Sequence, residues 1–353
     1  MSLVDPRAIA VVAPNLHRRW SGVTSTIVTL VPEQARTLAI ASVGPGLPDR
    51  VPRVGFPALL RAGWTPPEGL ARRVWHARRN DEMIVGVVLK HLLRQPWALV
   101  FTSAARRDHS ALTRWLLRRM DAVIATSAPA ASHLKVAHTI VMHGVDTERF
   151  RPAADRAAAW AATGLPGARG IGCFGRLRPQ KGTDLFVEAM IALLPRHPDV
   201  TAVLTGLEAA EEKPFVDGLK ARVAAAGLEG RIRFLGVRPE AEMPGWFRAV
   251  SLQVAPMRSE GFGLTPLEAM ASGTPIVATD TGAAKLLVRE GETGAIVPPD
   301  DQSGLAAAIE AYLADPARMA AHGLAARAHV EANHTLASEI AGIRAVYDRL
   351  VAA

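Results

Sequence analysis

The sequence predicts an α/β protein of two Rossmann-like domains, each a parallel sheet flanked by helices, and three observations carry that prediction. The second half alternates strand-like and helix-like stretches: GIGCF, TDLFVEAMIALL, VTAVLTG, EEKPFVDGLKARVAAAG, RIRFLG, EAEMPGWFRA and VSLQVAP. Strand–helix units in series build a parallel sheet. The apolar run AIAVVAP (8–14) reads as a strand buried on both faces, and TLAIASV (37–43) as a second strand. Finally, 353 residues is long for one domain and natural for two of about 150 to 180 residues.

Composition narrows the class. The single cysteine, Cys173, excludes an internal disulfide and a thiolate zinc cluster, and fits a reducing compartment. A small buried strand residue is the expected role for it. The N-terminus passes from MSLVDPR straight into a strand-like run, without the charged start and long apolar core of a signal peptide. No apolar run approaches the roughly 18 residues of a membrane span. The net charge is +8, and residues 1–150 hold 20 Lys and Arg against 10 Asp and Glu, so all the excess lies in the first half. Such asymmetry implies an anionic partner for that half: an acidic membrane surface, a phosphorylated acceptor or nucleic acid.

Taken in order, the first strand leads through Ser21–Gly22 into a helix, a small-residue turn of the kind a first strand–helix connection favours. After the second strand, GFPALLRAGWTPPEGL is rich in Pro and Gly and reads as a loop bearing Leu59, Leu60 and Trp64. It either packs on its own domain or inserts into a membrane surface beside Arg61, Arg72 and Arg73. His76 is expected at the end of a short strand, ahead of a helix from Asn80 to Leu93, and strand C-terminal ends are where open α/β sheets bind ligands. His109, after the strand ALVFT, is its rival. The segment HSALTRWLLRRMD reads as a helix mixing Trp115, Leu116 and Met120 with Arg114, Arg118 and Arg119. Its apolar stripe serves either the core or an anionic surface. AVIATS and HTIVMHGVD supply the last two strands of this half.

In the second half, FGRLRPQKGTD places Arg176 and Lys181 on one loop, where two cations suit two oxygens of a diphosphate. It is not a Walker A loop, because the Gly-x4-Gly-Lys spacing is missing. The stretch Glu260 to Glu268, EGFGLTPLE, reads as a glycine-bearing loop opening a helix, followed by the strand of ASGTPIVAT. Free N–H groups from Gly263 through Leu264 to Thr265 form an anion seat at the positive end of the helix dipole. Glu260 before the turn and Glu268 one turn into the helix can each accept hydroxyl hydrogen bonds. After Asp300 the chain reads as helical to the end, with a break near Asn333–His334 and a stripe of Ile340, Ile343, Val346 and Leu350 in the last helix.

Here the chain resembles the family 4 retaining glycosyltransferases. Two glutamates seven residues apart enclosing GFGL, the trailing ASGTPIV and the pattern G-R-L-x-x-x-K-G resemble that family's donor-site signature. The resemblance implies the GT-B fold: two Rossmann-like domains facing across a cleft, with a C-terminal helix crossing back. VMHGVDTERFRP resembles its hinge, giving an N-terminal acceptor-side domain of residues 1–146 with 336–353, and a nucleotide-sugar domain of residues 147–335. It also implies roles: Gly22 packs against the donor phosphate, His76 faces the reacting carbon, Arg176, Lys181 and the amides near Leu264 and Thr265 hold the diphosphate, Phe262 and Gly263 shape the loop, Glu260 binds sugar hydroxyls and Glu268 the ribose. APNLxRRxSGVTSTI, WHARRNxEM and FTSAAxRDH further resemble mannosyltransferases of the lipopolysaccharide inner core. That implies GDP-mannose as donor and a lipid-linked anionic glycan as acceptor, with peripheral contact with the cytoplasmic leaflet. No metal or other cofactor is expected, since no Asp-x-Asp motif occurs. A sugar-nucleotide epimerase, a non-catalytic binder or a nucleic-acid binder are the alternatives, the last without any recognised nucleic-acid module to support it.

Overall fold

The structure, a computed structural model, describes residues 4–18, 21–105 and 107–351. Arg19, Trp20 and Arg106, which fall within the motif stretches above, lie outside the described residues. The chain divides into two compact units, residues 1–142 with 337–353, and residues 143–336.

Unit 1 contains β1 (Val11–Pro14), α1 (Gly22–Gln34), β2 (Ile40–Val43), α2 (Phe56–Ala62), β3 (Arg73–Ala77), α3 (Asn80–Val87), β4 (Trp97–Ser103), α4 (Ala111–Leu117), β5 (Ala122–Ala125), α5 (Ala128–Ser132) and β6 (Thr139–Ile140). The strands form one parallel sheet in the order β2-β1-β3-β4-β5-β6. Direction of winding reverses between β1 and β3, and open sheets of this kind bind ligands beyond the strand ends at such a reversal. Because helices cover both faces, Val12, Trp75 and Leu99 are buried at the middle of three adjacent strands. Trp75 meets Trp97 edge to face at 5.9 Å.

Two expectations for this unit are corrected. Residues read as a loop that either packs on its own domain or inserts into a membrane form α2, which buries Leu59 and partly buries Leu60 against the core, while Phe56 and Trp64 stand exposed. Pro57 sits in the first turn, where its missing N–H is not needed, and Gly63 closes the helix, so the residues read as breakers are helix-end punctuation. Arg73 is not a surface arginine: it is 1% exposed and donates to the carbonyls of Ile9, Ala62 and Pro6. In α4, Leu116 belongs to the core, whereas Trp115, Leu112, Arg114 and Arg118 are exposed.

Unit 2 contains α6 (Arg156–Ala161), β7 (Arg169–Phe174), α7 (Thr183–Leu193), β8 (Val200–Thr205), α8 (Lys213–Ala225), β9 (Ile232–Phe234), α9 (Met243–Ala249), β10 (Leu252–Ala255), α10 (Leu264–Ala271), β11 (Ile276–Thr279), α11 (Ala284–Leu287), β12 (Gly294–Val297), α12 (Gln302–Leu313) and α13 (Pro316–Asn333). Its parallel sheet runs β12-β11-β10-β7-β8-β9, the doubly wound order with its reversal between β7 and β10. Phe186, Met190, Leu204 and Val254 lie in its core.

The last helix, α14 (Leu336–Val351), belongs almost wholly to unit 1. Ile343, Val346 and Tyr347 are its buried face. Arg344 donates to the carbonyl of Thr37 at 3.2 Å. Among the described residues no helix is long and apolar enough to cross a membrane.

Candidate active site

The reversal between β7 and β10 in unit 2 carries a small pocket whose lining includes Cys173, Arg176, Lys181, Met257 and Thr265. Two loops build it. One leaves β7 at Gly175 and runs to Gly182, whose φ of +65° opens α7. A Cβ at Gly182 would collide with the carbonyl of Pro256 on the other loop, so only glycine lets the two loops approach this closely. The second loop leaves β10, passes Glu260 and reaches Gly263, the φ +99° residue that starts α10. With no side chain capping that start, the amides of Leu264 and Thr265 have no acceptor among the described residues.

Charge is concentrated here. Lys181 Nζ donates to the Glu260 carboxylate and lies 3.5 Å from Met257 Sδ. Glu260 Oε1 also accepts the N–H of Gly261 at 2.8 Å. Arg176 stands on the same loop as Lys181 and is half-buried. Phe262 turns inward, where it meets His143 edge to face at 4.9 Å, and its carbonyl accepts the N–H of Ala283 at 3.0 Å, which pins the loop. Glu268 retains some accessible surface. Burial of its carboxyl pushes its pKa up to about 8, against which Arg149 pulls down and Glu240 adds a further push up. Arg149 is itself committed to Glu240 at 2.8 Å. Burial also pushes the Cys173 thiol up to about 12, which makes it an inert wall.

The structure therefore brings Arg176, Lys181, Glu260, Gly263, Leu264 and Thr265 into one neighbourhood, with Phe262 beneath and Glu268 one turn along the helix. Chemically it offers cations, N–H dipoles and carboxylates in one neighbourhood, and groups of the first two kinds favour an anion such as a phosphate. Two features were not read from the sequence. One is the direct pairing of Lys181 with Glu260, which spacing in sequence cannot show. The other is His143, read only as part of a hinge motif; an aromatic ring expected beside Phe262 would have been the signal.

In unit 1, His76 is at 0% exposure, with Nδ1 at 2.5 Å from Tyr347 Oη and Nε2 at 2.7 Å from Thr102 Oγ1. This corrects the expectation that its ring faces a ligand, since both nitrogens are spent inside the unit. Burial, with Arg78 adding to it, holds its pKa well below the ordinary value, so it is neutral. His109 is only partly buried, in the loop between β4 and α4, with Nε2 3.4 Å from Ser103 Oγ, and burial lowers its pKa. Gly22 opens α1 after Ser21, whose hydroxyl caps the helix, and open space surrounds its Cα.

Two doubly wound parallel sheets, one bearing a small pocket lined by Arg176 and Lys181 at its reversal, define the GT-B class of glycosyltransferase. The profile of the family described as Glycosyl transferases group 1 matches residues 168–315. A lipopolysaccharide core biosynthesis mannosyltransferase, LpcC of Rhizobium leguminosarum bv. viciae, is 54% identical over 348 residues, covering 98% of this chain and 98% of that protein. The corresponding LpsB of Rhizobium meliloti is 49% identical, covering 99% of this chain and 100% of that protein. Anabaena Alr3699/HepE, solved in complex with UDP and glucose, superposes with a TM-score of 0.83 at 20% identity over 96% of this chain and 99% of its own, which shows the shared fold. The chain belongs to the group 1 glycosyltransferases.

Proposed function

We propose that this protein is a retaining hexosyltransferase that moves mannose from GDP-mannose onto a lipid-linked, anionic core glycan of lipopolysaccharide. The observation that carries the reading is the pocket at the β7/β10 reversal, lined by Arg176, Lys181 and Thr265, beside the uncapped start of α10 at Leu264 and Thr265. The names of the two relatives that match over the full chain support mannose as the sugar and the lipopolysaccharide core as the acceptor.

Breaking the glycosidic bond to a nucleoside diphosphate leaves negative charge on the β-phosphate. Preorganised cations and N–H dipoles aimed there lower the barrier without having to reorganise. Lys181 reaches the phosphate by exchanging its bond to Glu260, which frees that carboxylate for sugar hydroxyls. Glu268 takes the ribose. In this reading no residue acts as a nucleophile: the departing phosphate accepts the acceptor's proton and the acceptor attacks on the face that the phosphate leaves.

Contact with the membrane is part of the same reading. Trp115 and Leu112 are exposed beside Arg114 and Arg118, and Arg119 stacks on Trp115 with its guanidinium carbon 3.4 Å from the ring centre. Apolar rings among cations suit the anionic cytoplasmic leaflet on which a lipid-linked acceptor is carried. A thermal-shift panel of nucleotide sugars tests the donor assignment without knowledge of the acceptor. GDP-mannose should raise the melting temperature most, and an equal response to UDP-sugars would remove the choice of base.

A further inference from the structure

Arg78 and Arg79 are consecutive, follow β3 directly and stand at the β1/β3 reversal of unit 1, yet their surroundings differ. Arg79 is fully engaged: it donates to Asn15 Oδ1 (3.0 Å), Glu82 Oε1 (2.9 Å), Ser21 Oγ (2.9 Å) and Thr24 Oγ1 (3.1 Å). It thereby ties the loop after β1 and the start of α1 to the end of β3. Arg78 is 8% exposed, and among the described residues its guanidinium makes one hydrogen bond, from Nη1 to the carbonyl of His76 at 3.3 Å. Its Nε is buried with no acceptor.

Among the described residues no carboxylate forms an ion pair with the Arg78 guanidinium. The nearest candidate, Glu82, spends its oxygens on the backbone N–H groups of residues 78 and 79 and on the Arg79 side chain. Of the groups around it, His76 is held neutral by burial and Tyr347 is pushed up to about 12 by the same cause, while the Glu82 carboxylate acts on Arg78 through space without pairing with it and the buried Glu339 acts on Tyr347. A guanidinium taken out of water without a counter-ion is destabilising, and proteins keep such groups where a ligand supplies the missing charge. The location agrees, since the crevice beyond a reversal is where an open sheet receives ligands.

We propose that Arg78 binds an oxyanion of the acceptor, a sugar carboxylate or a sugar phosphate, and so selects acidic acceptors. The planar guanidinium fork suits either group in a bidentate pair, which an ammonium cannot reproduce. The excess positive charge of residues 1–150 draws such an anion toward the unit. Naming the ligand as the acceptor rests on the glycosyltransferase reading; the binding of an oxyanion at Arg78 does not.

The test uses the full chain and three probes in ligand-observed saturation-transfer NMR titrations: methyl glucuronide, methyl glucoside 6-phosphate and methyl glucoside. At least one charged probe should bind the wild type about tenfold or more tightly than the neutral one, the scale of one charge-assisted pair. Arg78→Met should lose that preference, and Arg78→Lys should retain only part of it. A carboxylate preference identifies an acidic sugar, a phosphate preference a phosphorylated one. Because the unpaired charge is removed, Arg78→Met should melt no lower than the wild type. A lower melting temperature with the preference intact makes Arg78 purely structural and overturns the proposal, as does equal binding of all three probes by the wild type. Thermal shift with GDP-mannose is read alongside on both proteins. If no nucleotide sugar shifts either, the transferase reading fails while the anion preference at Arg78 is still decided.

Discussion

Replacing Glu268 with Gln separates what this carboxyl does for stability from what it does for the donor. Its folded-state pKa of about 8 stands against an ordinary 4.5. Between those values the folded chain holds a proton that the unfolded chain has released, so stability falls as pH rises through that window and levels off above about 8. Each unit corresponds to about 1.4 kcal/mol, so ionisation in the unfolded state costs the fold about 3 kcal/mol by pH 7. Glutamine has the same shape and no such dependence. Glu268→Gln should therefore raise the melting temperature by about 5 °C at pH 8 and by almost nothing at pH 5. Donor binding should move the other way. Ribose hydroxyls donate to an ionised carboxylate, so binding at pH 7 must expel the proton that about nine in ten molecules carry. Titration calorimetry of GDP in buffers of different ionisation heat should report about 0.9 proton released by the wild type and none by the variant, whose donor KM should rise. A melting difference that does not change with pH, together with a binding heat independent of buffer, would refute both the perturbed carboxyl and its role on the ribose.

Lys181→Ala and Arg176→Ala should each lower turnover by about a hundredfold or more, the scale of losing a preorganised contact to a developing anion, and steady-state kinetics checks it. Activity should persist in EDTA; its loss would give a metal ion the role assigned to these cations. Glu260→Gln should lower turnover while tightening GDP by about fivefold, because Lys181 no longer has to leave a carboxylate that holds it, and fluorescence titration reads the affinity. Tyr347→Phe should cost about 1 to 3 kcal/mol in urea unfolding by leaving Nδ1 of the buried His76 ring without its partner, with donor affinity unchanged. Reversing Arg114, Arg118 and Arg119 to Glu should abolish sedimentation with anionic vesicles at low salt, at about 1 kcal/mol per basic residue. Wild-type indifference to such vesicles would remove the membrane contact.

Much of the fold was legible because strand–helix alternation is a local signal. The strand β7 ahead of GRLRP, the glycine start of α10 and the helix break at Asn333–His334 all follow from periodicity and from residues that permit unusual backbone angles. The sequence misled where one residue type serves two purposes. Pro57 and Gly63 mark loops and helix ends alike, and Arg73 looks like a surface cation until the carbonyls of Pro6, Arg7, Ile9 and Ala62 close around it. The histidines show the same limit: position at a strand end cannot tell His76, whose partners Thr102 and Tyr347 lie 26 and 271 residues away, from a ligand-facing ring. For the candidate site, the residue types and their loops were readable; the pairing of Lys181 with Glu260, 79 residues apart, was not.

The measurement that bears most directly on the central claim is the anomeric configuration of the product. The full-length protein is supplied with GDP-α-mannose and core glycolipid, and the new linkage is followed by NMR from the first turnovers. Appearance of an α-mannoside, together with its loss in Lys181→Ala, is the predicted result. A β-linked product, or release of GDP with no sugar joined to the glycolipid, would contradict it.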